Sequence, residues 1–238
     1  MIQFCSKCNS ILLNIHKIFF CVIYYMSISE YKNIYYPTEN DSAVVRALLS
    51  GRVWEKKITN IFHEYLTHES IVVDCGTYIG SHTLTMSNLA NKVYAFEPQP
   101  LIYKCLTQTI EKKNINNVKL YNVALCNETG VSWIHTNNDG DASLEGIRDN
   151  KFTMKFPINT NTLDNIITEK IDLIKIDVEG AEWELLQGAD WTIEQYRPII
   201  ILETFKTKKN KKKLEEFKLL FNYNSEYISA DNYLLIPN

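Results

Sequence analysis

A chain of 238 residues, 45% apolar and 22% charged, is long enough to bury a sizeable core, and one α/β domain with a short extension suits that size. A formal net charge of −3 supplies no field that would favour nucleic acid. Six cysteines are scattered along the chain; Cys75, Cys105 and Cys126 fall inside apolar elements and read as small buried thiols, which points to a reducing, cytoplasmic setting.

In chain order, residues 1–26 form an extension. Its apolar stretch at 11–25 is interrupted by Asn14, His16 and Lys17. That is shorter and more polar than the roughly 20 apolar residues of a membrane span. Membrane contact through 1–26 stays open, and so does a true start at Met26. Cys5 and Cys8 have zinc-knuckle spacing, but no second Cys or His pair follows nearby, so no zinc site is read there. Residues 27–70 read as an N-terminal helical segment: a polar stretch to 41, then helix-like apolar spacing at 42–49 and 54–66 with Gly51 between.

Residues 71–238 read as the core. Apolar strands at 71–74, 92–97, 118–125, 171–177 and 199–203 alternate with helical patterns at 81–91, 101–114, 181–188 and 211–221. Extended pieces at 131–135 and 151–158 flank a turn-rich loop, and 162–168 is a short helix. Residues 227–228 and 232–236 suit a hairpin around Ala230-Asp231. The alternation predicts a Rossmann-like, doubly wound, mostly parallel sheet with helices on both faces and a C-terminal antiparallel hairpin.

The chemistry concentrates where strands end. In Val72-Val73-Asp74-Cys75-Gly76-Thr77-Tyr78-Ile79-Gly80 an apolar strand runs into a Gly turn and a helix start, which lets backbone approach a ligand. Glu97 ends the next strand at about the distance, roughly 20 residues, of a ribose-binding carboxylate. An adenosine cofactor follows from that pair. Asp74, Glu97, Asn122, Asp177 and Glu203 all end apolar strands, so they converge on the rim where such sheets bind ligands. The turn lacks G-x-G-x-x-G, which argues against a nicotinamide-dependent oxidoreductase.

Asp74-Cys75-Gly76-Thr77-Tyr78-Ile79-Gly80 resembles the S-adenosyl-L-methionine turn of Rossmann-like methyltransferases. Further blocks follow in order: Phe96-Glu97-Pro98-Gln99-Pro100, Asn122-Val123-Ala124-Leu125, Thr162-Leu163-Asp164, Lys175-Ile176-Asp177-Val178-Glu179-Gly180-Ala181-Glu182, Leu186-Gln187-Gly188-Ala189 and Arg197-Pro198-Ile199-Ile200-Ile201-Leu202-Glu203. From about Val53 to Ile236 the chain resembles the FkbM family of S-adenosylmethionine-dependent methyltransferases. The resemblance implies O-methylation of a sugar, glycan or other small-molecule hydroxyl. It assigns Gly76, Thr77 and Gly80 to the cofactor turn, Asp74 to the amino-acid tail, Glu97 to the ribose hydroxyls and Asn122 to the adenine. Asp177 falls to the methionine moiety or the substrate. The family usually carries Ala-Asn where this chain has Thr77-Tyr78.

A hydroxyl nucleophile gains from a general base, for which Asp177, Glu179, Glu203 and His82 are the candidates. A divalent metal held by two or three rim carboxylates is the lesser option. The same fold without catalysis is the alternative to an enzyme. A nucleic-acid substrate would rest on the basic run 206–213, which reads first as a solvated loop entering a helix. Acceptor specificity is expected from residues 137–150 and the segment before Ile71.

Overall fold

The computed structural model describes residues 27–38, 40, 42–136, 142–144 and 154–238. The expectations for residues 1–26, and for most of the loop at 137–150, lie outside the described residues.

The core is a seven-stranded sheet in the order β12-β13-β11-β10-β3-β4-β5. Strands β3 (Ile71–Cys75), β4 (Lys92–Phe96), β5 (Val118–Tyr121), β10 (Leu173–Ile176) and β11 (Ile199–Glu203) are mutually parallel. β12 (Tyr223–Ser229) and β13 (Asn232–Pro237) form the antiparallel hairpin at one side, with β13 against β11. The order reverses between β3 and β10, and this crevice beyond the strand ends is where such sheets bind ligands.

Alternation along the strands splits the core in two. Val72, Val93, Ala95, Leu173, Ile201 and Leu234 face Ile58 and Phe62 of α2 (Lys56–Tyr65) and Met86 of α3 (Ser81–Ser87). Val73, Cys75, Phe96, Ile174, Ile176 and Leu202 face the other way. There they meet Leu185 and Leu186 of α6 (Glu182–Gln187), Ile193 of α7 (Asp190–Tyr196) and Phe217 of α8 (Lys208–Phe221). α4 (Pro100–Lys112) starts with Pro at its first position and buries Ile102, Cys105, Leu106 and Thr109, one face of a 3.6-residue repeat.

Four elements differ from the sequence expectation. Residues 28–37, read as merely polar, form the hairpin β1 (Ile28–Tyr31) and β2 (Ile34–Pro37), with Lys32 and Asn33 both at positive φ in the two-residue turn. It docks on α4 through the Tyr35 amide, which donates to Thr109 Oγ1 at 2.9 Å. The strand expected at 118–125 breaks after Tyr121. Its tail, β6 (Ala124–Leu125), joins a second, four-stranded sheet with β7 (Gly130–Thr136), β8 (Ala142–Leu144) and β9 (Met154–Asn161). α7 was not expected as a separate helix. α8 begins three residues before 211, because the Thr207 hydroxyl accepts from the Asn210 amide and caps it. Thr162 caps α5 (Leu163–Ile166) in the same way, and Ser42 caps α1 (Ala43–Leu49). In α8, Lys208, Lys209, Lys211 and Lys212 are exposed, as a solvated face requires. Among the described residues no helix is long and apolar enough to cross a membrane.

Candidate active site

Register places the rim. Phe96, Cys75, Ile176 and Leu202 lie side by side across β4, β3, β10 and β11. The residues one step further, Glu97, Gly76, Asp177 and Glu203, therefore stand in a row at the carboxyl ends of the strands. All four line one cavity of about 320 Å³, a volume suited to a small-molecule ligand. Ser42, Trp54 and Glu55 close it from the N-terminal segment, and Ala124, Leu125 and Ile134 from the second sheet.

Gly76 sits at φ +79°, and a Cβ built there would overlap the carbonyl oxygen of Asp177. Only glycine lets the β3 turn pass under β10. Gly80 stands at φ +90° against the Leu106 side chain and opens α3 in place of a side-chain cap.

Glu97 is only 3% exposed. Its Oε2 accepts from the Tyr78 amide at 2.9 Å and its Oε1 from the Gln99 amide at 2.8 Å. A carboxylate offers about four lone-pair sites, so each oxygen keeps one for a ligand in the cavity. Burial pushes its pKa up to about 7, against the two amide bonds that favour the ionised form.

A charged cluster occupies the other end. Lys175, 3% exposed, donates to Asp177 Oδ2 at 2.9 Å and stands 3.9 Å from Asp74 Oδ1. Glu55 Oε2 lies 2.9 Å from His82 Nε2, and Asn232, paired with Glu203 across β13 and β11, reaches toward both Glu55 and Glu203 at 3.4 and 3.5 Å. Burial raises the Glu55 pKa, but the hydrogen bond and charge of His82, with Lys175, outweigh it and hold the group below its ordinary value. Glu203 goes the other way: burial, then the negative charge of Asp177, push it up to about 8.

The family model of the Methyltransferase FkbM domain matches residues 74–228. The chain belongs to the FkbM methyltransferase-domain family. Over 151 residues it is 25% identical to the hexuronic acid methyltransferase AglP of Haloferax volcanii, covering 62% of this chain and 61% of that protein. It is 26% identical over 176 residues to the methyltransferase sdnD of Sordaria araneosa, covering 59% and 68%. Among solved structures, the FkbM methyltransferase of Methylobacillus flagellatus superposes with a TM-score of 0.54 at 17% identity, over 82% of this chain and 52% of that one. A putative methyltransferase of Streptococcus mutans, SMU.1697c, solved with SAH, gives 0.50 at 17% identity over 76% and 94%. The match thus spans less than two thirds of AglP and about half of the Methylobacillus chain.

In this FkbM domain the residues singled out from sequence divide in two. Gly76, Glu97, Asp177, Glu179 and Glu203 line the cavity, and Asp74, Thr77, Gly80, His82 and Asn122 do not. Asp74 is fully buried and turned to the α2–α3 face, in register with Lys175; its Oδ2 accepts from the Thr83 hydroxyl at 2.6 Å. Asn122 is exposed, and its amide donates to the carbonyls of Glu97 and Pro98, which fixes the turn that presents Glu97. Thr77 is buried with its amide on the Phe96 carbonyl. His82, 4% exposed, stands behind Glu55 and meets Phe62 edge-on. Tyr78, at φ +50°, turns its hydroxyl to Asn40 and Ser42, so the bulkier residue ties the turn to the N-terminal segment. Among the described residues no group of three His, Cys, Asp or Glu is arranged to hold a metal ion.

Sequence reasoning missed Glu55, Asn232 and the role of Lys175. A lysine between Ile174 and Ile176 in a buried strand, with Asp177 two residues on the same face, was the available signal for the last. Glu182, the first residue of α6, turns back on the preceding turn: its Oε1 accepts from the Gly180 amide at 2.6 Å, and its buried Oε2 has no hydrogen-bond partner. Burial pushes Glu182 up to about 7. The folded state therefore holds a proton that the unfolded state has released between about pH 4.5 and 7, and stability falls as pH rises through that window. Glu182→Gln is expected to flatten this part of the stability–pH curve, gaining about 2 kcal/mol at pH 8 and little at pH 4. Urea denaturation across that range reads it, and an unchanged slope would contradict the assignment.

Proposed function

We propose that the protein is an S-adenosylmethionine-dependent methyltransferase acting on a hydroxyl oxygen of a sugar, glycan or other small molecule. The observation that carries this is the Glu97 carboxylate, buried on the cavity wall beside the bare backbone of Gly76, each oxygen holding one backbone amide and so able to accept a second donor. Two vicinal ribose hydroxyls are the natural pair of donors for it. The family supports methyl transfer, and the name of the AglP relative supports a sugar acceptor.

Bound in this cavity, the cofactor supplies an electrophilic methyl on a sulfonium. The protein's own work is alignment and charge. Glu97 fixes the ribose, and Gly76 lets the backbone lie against the ligand. Asp177, held by Lys175, sets the far end of the cofactor pocket. Glu203 is the group to take the acceptor proton, because a pKa of about 8 combines proton affinity with a usable ionised fraction near neutrality. Glu55, oriented by His82, holds the acceptor hydroxyl beside it.

Isothermal titration of S-adenosylmethionine into wild type and Glu97→Gln tests the cofactor. The substitution is expected to weaken binding about 10- to 100-fold, the loss of hydrogen bonds to a charged acceptor. Affinity in the wild type is expected to fall as pH drops below about 7, where Glu97 takes up its proton. Equal affinity of the two proteins would remove Glu97 from the ribose. Release of S-adenosylhomocysteine with any hydroxyl acceptor would exclude a binding module without catalysis.

A further inference from the structure

Tyr78 holds a conformation that an aromatic residue rarely takes. Its φ of +50° lies in the left-handed region, inside the turn closed by the Gly80 amide on the Thr77 carbonyl at 2.9 Å. Two polar contacts are made from there. The amide donates to Glu97 Oε2 at 2.9 Å. The phenol oxygen accepts from the side-chain amide of Asn40 and pairs with Ser42 Oγ at 3.1 Å. Asn40, 6% exposed, takes the Ser42 amide on its Oδ1 at 2.9 Å, and Ser42 Oγ caps α1. The ring packs against the cluster of Val45, Ile79 and Ile102. Burial pushes the phenol up to about 12, so the hydroxyl stays neutral and keeps both partners through the neutral range. Ser42, Ala43 and Val44 of this segment line the same cavity as Tyr78 and Glu97.

We infer that Tyr78 is a positioning residue that couples the ribose carboxylate to the N-terminal wall of the cavity, so that a cofactor on Glu97 holds residues 42–49 closed. The inference rests on the methyltransferase reading above and assigns that site a further working residue. The coupling is built from shared bonds. Opening of the segment breaks the phenol's contacts with Asn40 and Ser42. The left-handed turn then relaxes, since such a conformation persists only while its surroundings fix it, and Glu97 loses an amide donor. A ligand that needs Glu97 in place therefore favours the closed wall, and the closed wall favours the ligand by the same factor.

The full chain is first titrated with S-adenosylhomocysteine by calorimetry, which judges the cofactor reading by itself. Amide hydrogen exchange is then followed by mass spectrometry with and without saturating S-adenosylhomocysteine. In the wild type the ligand is expected to slow exchange of the α1 amides at least about fivefold, the lower end of coupling between sites. Tyr78→Phe keeps the ring and the amide on Glu97. It is expected to bind S-adenosylhomocysteine within about threefold of the wild type and to lose most of the slowing at α1. Asn40→Ala, which removes a partner of the phenol and leaves the turn itself unaltered, is expected to do the same. Ser29→Ala is the control. It removes a 2.9 Å bond to Thr38 Oγ1 beside the β1–β2 hairpin and is expected to keep the slowing. Slowing retained in Tyr78→Phe would overturn the inference, and so would a ligand-bound wild type with α1 unprotected. Loss of the slowing in Ser29→Ala as well would reduce Tyr78 to one structural contact among others and overturn it too. A protein that takes no S-adenosylhomocysteine would overturn the methyltransferase reading and this inference together.

Discussion

Gly76→Ala is expected to lower the melting temperature by about 5–15 °C and to abolish measurable cofactor binding. Two costs combine. The position sits at φ +79°, where an L side chain costs about 1–2 kcal/mol. The added methyl also falls on the carbonyl oxygen of Asp177, which is main chain and cannot swing aside. Relief requires moving the ends of β3 and β10 apart. Those ends are joined there by the Asp177 amide, which donates to the Cys75 carbonyl at 3.0 Å, and β3 is held on its other side by the Gly76 amide, which donates to the Phe96 carbonyl of β4 at 3.0 Å. Overpacking of this kind costs about 1–3 kcal/mol more. Each kcal/mol is worth about 2–4 °C for a domain of this size. Gly51→Ala is the control. Gly51 has φ +74° but nothing within 4 Å of a built Cβ, so it reports the backbone cost alone. Thermal unfolding of both variants, beside titration of S-adenosylmethionine, separates the two terms. If Gly76→Ala proved no worse than Gly51→Ala, the close approach of β3 and β10 would have no energetic content.

The parallel sheet was legible in the chain because its strands are buried on both faces and read as apolar runs ended by an acid or glycine. The row of Glu97, Gly76, Asp177 and Glu203 follows from that punctuation once the strands are set in register. What escaped was set by contacts between distant segments. The β1–β2 turn uses Lys32-Asn33 at positive φ, where the usual Asn-Gly signal is missing. The break after Tyr121 comes from the Asn122 amide turning to the Glu97 and Pro98 carbonyls, and no local pattern announces that. Glu55 looked like one more acid in a helical segment. It becomes a wall of the site through His82, 27 positions on, and Asn232, 177 positions on. The strand-end rule also overreached at Asp74. Being one residue short of the rim, it points to the opposite face from Cys75 and pairs with Thr83 and Lys175 inside the protein.

Lys175→Met is expected to be the most destabilising conservative-volume change in the core, by about 3–5 kcal/mol at pH 7.5, because it leaves buried carboxylates without their cation. Asp74 is fully buried, its Oδ1 has no hydrogen-bond partner, and the Lys175 ammonium 3.9 Å away is its electrostatic counterweight. Asp177 loses a 2.9 Å charge-assisted bond as well. Burial by itself would lower the lysine's pKa; the charges of Asp177 and Asp74, with Glu55, more than reverse it, and the folded value stands above the ordinary one. The sign of the linkage follows. A lysine raised on folding contributes fully below its unfolded pKa of about 10.4 and loses that contribution only as pH rises through the higher folded value. The wild type therefore keeps the stabilisation through the whole neutral range. In Lys175→Met the penalty should shrink as pH falls and the freed carboxylates take up protons, so the gap to wild type closes toward pH 4. Asp74→Asn added to Lys175→Met should recover part of the loss at pH 7.5, since a neutral pair replaces an uncompensated charge. Urea denaturation of the three proteins at pH 7.5 and pH 5 measures both effects. A loss below 1 kcal/mol, or no recovery in the double variant, would mean that Lys175 serves only to aim Asp177 into the cavity and that Asp74 needs no counter-charge.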